Sequence, residues 1–71
     1  MRVLTQDRSH IIKLPKDIWI SKVDTTGRYL IICTSKIAPY LGVYKDDVAA
    51  REALKELYQS MAERRDIHEM S

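Results

Sequence analysis

The stretch Ile18-Trp19-Ile20-Ser21-Lys22-Val23-Asp24-Thr25-Thr26-Gly27-Arg28-Tyr29-Leu30-Ile31-Ile32-Cys33-Thr34 decides the fold. Ile18 to Val23 is rich in β-branched and aromatic side chains, which suit a pleated, half-buried surface. Asp24-Thr25-Thr26-Gly27 follows. Asp in the first position and Gly in the fourth suit a type I turn whose glycine enters the left-handed region as a bulge. Arg28 to Thr34 is then the returning strand of a hairpin. It is apolar on both faces, with Leu30 and Ile32 on one and Tyr29, Ile31 and Cys33 on the other. Two-sided apolarity predicts a central strand, with one face available to a partner chain. The alternation alone leaves open which face a helix covers.

Downstream, Ser35 to Pro39 is a connection and Tyr40-Leu41-Gly42-Val43-Tyr44 a third main strand. Strict alternation puts Leu41 and Val43 on one face, and Tyr40, Gly42 and Tyr44 on the other. A glycine inside a strand marks a bulge or a close backbone approach. A helix starts at Asp46, a good N-cap, with Asp47 adding negative charge at the positive end of the helix dipole. Ala50, Ala53, Leu54, Leu57, Tyr58 and Met61 then recur with helical period and predict the buried stripe. Asp47 and Arg51 are spaced to pair, and the helix is expected to end near Arg64 or Arg65. Upstream, Arg2 to Thr5 and His10 to Leu14 read as short strands. The latter is stopped by Pro15, which cannot donate to a ladder. Ile67 to Met70 reads as a last short strand or a frayed end. If it is ordered, Val3 and Leu4 are the expected partners, because chain ends fray unless tied down.

Composition bounds the answer further. At 71 residues the chain is one domain: a sheet region over 1–45, a helix over about 46–65 and a short tail over 66–71. A domain of this size buries only roughly 60% of its unfolded surface and has a stability of about 4 to 10 kcal/mol. Apolar residues make up 45% and charged residues 31%, so a folded domain is expected rather than disorder. The one cysteine, Cys33, excludes an intramolecular disulfide, which favours a reducing, cytoplasmic setting. The longest apolar run, Leu30 to Cys33, is far too short to span a bilayer, so no membrane role is expected. The net charge of +2 is modest, but it is unevenly spread: residues 1–45 carry eight Lys/Arg against three acids, and residues 46–71 carry four against seven.

Chemistry-bearing patterns are sparse. His10 and His68 are the only histidines; neither has a neighbour at metal-ligand spacing, and both read as surface imidazoles. Cys33 sits in a strand and reads as a buried, inert thiol. Asp46 and Asp47 are explained by capping. The only glycines, Gly27 and Gly42, each have a structural use, so there is no phosphate-binding loop. So short a chain also has little room for a pocket of several hundred Å3. No catalytic, cofactor or metal residue is assigned. The candidate interaction surface is Trp19, Lys22, Arg28, Tyr29, Lys36, Tyr40 and Tyr44, the aromatic and basic residues of the sheet region. Aromatics among cations suit nucleic acid. Equally, aromatics are ordinary strand residues, and lysines guard exposed strands against aggregation.

Two resemblances bear on context. Leu41-Gly42-Val43-Tyr44 followed by the helix with Ala50, Ala53 and Leu54 is similar to the strand-to-helix passage of AP2-like and integrase arm-type DNA-binding domains, over about a third of the chain. It implies a three-stranded sheet backed by one helix, with base contacts from the first two strands; Lys22 and Arg28 are the loose candidates there. Over most of its length, the order Met1-Arg2-Val3-Leu4-Thr5-Gln6-Asp7, hairpin, Tyr40 to Tyr44, Ala/Leu helix and Ile67-His68-Glu69-Met70 resembles small uncharacterised proteins of Gram-positive phages and mobile elements. Those open with a glycine after the Gln-Asp pair, where this chain has Arg8. The resemblance implies a phage or prophage context and no activity.

The expectation is therefore an α+β domain: a small antiparallel sheet of three main strands, with short terminal strands, packed against one C-terminal helix. Its expected role is a non-enzymatic protein-interaction module, with a homodimer as one form of that interaction. The rival is a DNA-binding accessory protein using a basic sheet face. Lys22, Arg28 and Lys36 together on one surface favour the rival; an apolar exposed face favours a protein partner.

Overall fold

The computed structural model of the chain describes residues 1–23 and 25–71. Asp24, expected to open the hairpin turn, lies outside the described residues. The elements run β1 (Arg2–Leu4), β2 (Ile11–Lys13), β3 (Ile18–Lys22), β4 (Tyr29–Cys33), β5 (Tyr40–Tyr44), α1 (Asp47–Ala62) and β6 (Ile67–Glu69). They make two three-stranded sheets. The main sheet has the order β3-β4-β5 and is antiparallel throughout. The short strands form a sheet of their own, β2-β1-β6, in which β1 runs antiparallel to β2 and parallel to β6. The helix packs on β4, β5 and β6. The architecture is the expected α+β arrangement, with the terminal strands gathered into a second sheet.

In the hairpin, Ile20 lies opposite Ile31 and Lys22 opposite Tyr29. Gly27 takes φ +70, the left-handed conformation that a glycine adopts without steric cost. Its N–H donates to the Val23 carbonyl at 3.0 Å, and the Val23 N–H donates to the Arg28 carbonyl at 2.7 Å. Ile31 and Cys33 are buried on the helix side, with Ile18, Ile20 and Tyr29 packed around them. Leu30 and Ile32 therefore take the opposite, outer face, which decides the question the alternation left open.

The third main strand departs from strict alternation. Ile31 pairs with Gly42 but Ile32 pairs with Tyr40, so Leu41 is an extra residue in a β-bulge. A bulge shifts the side-chain phase by one residue. Leu41 thus joins Gly42 and Tyr44 on the buried face, while Tyr40 and Val43 point outward. The pairing of Leu41 with Val43, and of Tyr40 with Tyr44, is corrected accordingly. The glycine serves a close approach: a Cβ on Gly42 would lie 2.5 Å from the Tyr44 hydroxyl and 2.8 Å from its Cζ. The Tyr44 ring lies over the glycine and is buried. Gln6 satisfies the outer edge of β5 at the bulge. Its N–H donates to the Leu41 carbonyl at 2.9 Å, and its Oε1 accepts from the Val43 N–H at 2.7 Å.

Asp46 caps α1, its carboxylate accepting from the Ala49 N–H at 2.8 Å. Arg51 pairs with Asp47 at 2.8 Å. The helix ends slightly earlier than expected, at Ala62, in a Schellman turn. The Arg65 N–H donates to the Ser60 carbonyl and the Arg64 N–H to the Met61 carbonyl, both at 3.1 Å. Arg64, in the position that usually holds glycine, has φ 57. The buried stripe is Ala50, Ala53, Leu57 and Ser60. Ala50 and Ala53 leave little side chain between helix and sheet, so the helix axis settles over β4 and β5. That rotation turns Tyr58 and Met61, expected in the stripe, out to solvent.

The C-terminal segment is ordered as a strand. Val3 lies opposite His68 and Leu4 opposite Glu69, and the Met70 N–H donates to the Leu4 carbonyl at 3.0 Å. Val3 and Met70 are fully buried in the same core as Ile31, Leu41 and Leu57. Each such side chain contributes about 1.5–3 kcal/mol relative to exposure, so the two chain ends are part of the core.

Candidate functional site

The outer face of the main sheet has no helix over it. The register places Trp19 opposite Ile32, Leu30 opposite Val43 and Ile32 opposite Tyr40. Side chains directly opposite one another on one face are in contact range. These residues therefore form one patch, with Trp19, Tyr40 and Val43 between 42% and 56% exposed and Leu30 and Ile32 half-buried between them. Ser21 completes its middle. Among the described residues, charged side chains enter only at its margins: Asp17, Arg28 and Lys45, by the phase of their strands. The patch residues sit on paired strands rather than loops.

The structure divides the candidate surface residues. Trp19 and Tyr40 lie on the outer face, and Arg28 reaches its margin. Lys22 and Tyr29 have the opposite phase and lie on the helix side. Tyr44 is buried beside Gly42 and is removed from the surface set. Lys36 is exposed in the connection between β4 and β5. Lys22, Arg28 and Lys36 thus do not share one surface. The five apolar residues of the outer face were only partly legible, because Val43 reaches it through the bulge.

A second surface lies on the helix side. Because the helix settles over β4 and β5, a cleft of about 540 Å3 opens between it and β3. The expectation that so short a chain has little room for a pocket of several hundred Å3 is corrected. Ile18, Ile20, Leu54 and Leu57 line its apolar part, with Tyr58 and Met61 along the helix and Lys16, Arg51 and Lys55 around the rim.

The reading of His68 is also corrected. It is buried rather than a surface imidazole, and its Nδ1 lies 2.5 Å from the Ser60 hydroxyl. Its Nε2 is enclosed, with no hydrogen-bond partner among the described residues. Burial is the main cause of a pKa held below the ordinary value of 6.5; Arg65 pushes the same way, and Glu56 and Glu69 oppose it. A neutral imidazole follows, which fastens β6 to the helix. Ser60 and His68 line the wall of a polar depression of about 400 Å3, together with Glu56, Glu63, Arg65 and Glu69. No spacing signal could have paired them, since the contact depends on β6 folding back along β1. Cys33 is buried as expected, its thiol donating to the Ala38 carbonyl at 3.2 Å.

Asp7 shows how a small turn tunes a carboxylate. Its Oδ1 accepts from the Ser9 hydroxyl at 2.7 Å, the Thr5 hydroxyl at 2.7 Å and the Ser9 N–H at 3.1 Å. These bonds, the Ser9 hydroxyl first, lower its pKa to about 2. The side chain is exposed and organises the turn, in which Arg8 has φ 65. That is the conformation a glycine favours.

Among the described residues, no group of three or more His, Cys, Asp and Glu is placed to hold a metal ion, and no helix is long and apolar enough to cross a membrane. Comparison with protein-family models, curated proteins and solved structures finds no match to this chain.

Proposed function

We propose that this chain is a non-enzymatic protein-interaction module that lays the outer face of its main sheet on an apolar surface of another protein, a second copy of itself being the first partner to test. The observation that carries this reading is the uncharged patch of Trp19, Leu30, Ile32, Tyr40 and Val43, opposite the only helix among the described residues. Exposed apolar clusters rimmed by polar residues are typical of protein contacts. Trp and Tyr are also the residues that most often anchor such contacts. A lack of charge at the centre makes the face compatible with its own copy. The DNA-binding rival draws less support, because Lys22 lies on the opposite side of the sheet from Arg28 and Trp19. The single buried thiol supports a reducing, cytoplasmic setting, and the resemblance to small phage proteins supports a phage or mobile-element context.

Sedimentation velocity over a rising concentration series tests the reading, with Trp19→Lys and Tyr40→Lys as variants. Both positions are exposed, so the fold is expected to tolerate the change. The expected result is a concentration-dependent dimer that either substitution abolishes. A monomer at every concentration, together with salt-sensitive binding to a mixed-sequence DNA duplex, overturns it.

A further inference from the structure

We propose that β3 and the cleft beside it form a second site, which binds an extended, acidic-flanked apolar peptide by adding it as a strand to the main sheet. This goes beyond the outer-face reading and does not depend on it, since edge and cleft lie on the helix side.

The first observation is the backbone. The Thr34 N–H donates to the Asp17 carbonyl, and the Val23 N–H donates to the Arg28 carbonyl. In an antiparallel ladder, alternate residues point their N–H and C=O at the same neighbour. Asp17, Trp19, Ser21 and Val23 therefore face β4, and Ile18, Ile20 and Lys22 turn their backbone groups away from it. Strand β3 is an end of the sheet. Its three outward residues thus present three donors and three acceptors in a row. The other end of the main sheet is treated differently: Gln6 occupies the edge of β5 through two hydrogen bonds.

The second observation is what lies beside that edge. The same three residues turn their side chains to the helix side, so a strand added to β3 would direct alternate side chains into the cleft. Its floor is apolar (Ile18, Ile20, Leu54 and Leu57). Its rim carries Lys16, Arg51 and Lys55, and no Asp or Glu among the described residues lines it. Arg51 is held by Asp47, whereas Lys16 and Lys55 belong to neither of the ion pairs among the described residues. Lysines on an edge strand alone would serve only to discourage aggregation. Here they surround an apolar cleft flanked by an unpaired edge, the combination by which strand-addition sites obtain affinity from the backbone and selectivity from alternate side chains. Charge complementarity specifies the occupant: apolar residues at the central cleft-facing positions, with carboxylates at the outer ones. A second copy of the chain fits less well, since it would bring the same cations to the cleft.

The test is a titration of the full chain followed by amide NMR. The probe is a short capped peptide with glutamate, valine, valine and glutamate at alternate positions and threonines between. Binding is expected to shift the amides of Ile18, Ile20 and Lys22 and to slow their exchange. Replacing the glutamates by lysine, or N-methylating the peptide along its ladder edge, is expected to abolish the effect. The double variant Lys16→Glu, Lys55→Glu is expected to weaken binding about tenfold, with the salt dependence reversed in sign because salt now screens a repulsion. Trp19→Lys is expected to leave it unchanged, which separates this site from the outer face. The proposal is overturned if those amides do not respond, if the lysine or N-methylated peptide binds equally well, or if the amides are already protected in the free protein because two copies pair edge to edge.

Discussion

Replacing Tyr44 by phenylalanine is expected to stabilise the protein. The Tyr44 hydroxyl is enclosed without a hydrogen-bond partner among the described residues, and its ring lies over Gly42. A buried, unpaired hydroxyl carries a desolvation cost of about 1–3 kcal/mol. Tyr44→Phe removes the oxygen and keeps the ring, so a gain of about 1 kcal/mol is expected. In a domain of this size that raises Tm by about 4–8 °C. The same hydroxyl gives a second signature. Burial, aided by the Glu56 carboxylate, pushes its pKa up to about 12 from 10.0. Between those values the folded state keeps a proton that the unfolded state has lost. The associated stability is complete below pH 10.0 and is lost as pH rises toward 12. Urea unfolding followed by far-UV circular dichroism, at neutral and at alkaline pH, measures both effects. The variant is expected to be more stable at neutral pH and to lack part of the alkaline loss. Gly42→Ala provides the control. It is expected to cost about 1–3 kcal/mol by overpacking, and less in the Tyr44→Phe background, where the atom closest to the new Cβ is gone. A Tyr44→Phe protein that is less stable than wild type, with an unchanged alkaline slope, would refute the account of this contact.

Three further outcomes follow from particular positions. Arg64→Gly relieves a left-handed conformation that costs a non-glycine residue about 1–2 kcal/mol; less the unfolded-state entropy of glycine, a net gain of about 0.5–1 kcal/mol is expected in thermal unfolding. Burial holds the His68 pKa below 6.5 in the fold, so its contribution is complete above pH 6.5 and is lost as pH falls below that value; His68→Gln is expected to remove this acid-side slope from a stability–pH series. Deleting residues 67–71 removes β6 and the fully buried Met70. It is expected to cost at least about 3 kcal/mol, a large share of the stability of so small a domain, and unchanged melting would contradict the pairing of β6 with β1.

What could be read from the residues, and what could not, divides along local and non-local lines. The hairpin was legible because β-branched runs, a turn and a left-handed glycine lie within one short segment. The helix was legible because Asp46 caps it and the alanines and leucines keep its period. The outward turn of Tyr58 and Met61 was not, since it depends on how closely Ala50 and Ala53 let the helix approach the sheet. The bulge at Leu41 was suggested by Gly42, yet its consequence for Val43 and Tyr44 required the register. The Ser60–His68 contact and the parallel pairing of β1 with β6 join residues far apart in the chain, and no local pattern encodes them. For the same reason the outer patch was anticipated through Trp19 and Tyr40 but not completed.

Trp19 makes the most direct measurement available, because it is the only tryptophan and stands on the outer face itself. Its fluorescence emission, recorded as protein concentration rises, reports whether that face becomes covered. The account predicts a shift from a long-wavelength, water-exposed maximum to a shorter one, in step with dimer formation, and no such step in Tyr40→Lys. Emission that stays at the exposed maximum while the protein sediments as a dimer would contradict it, for the interface would then lie elsewhere.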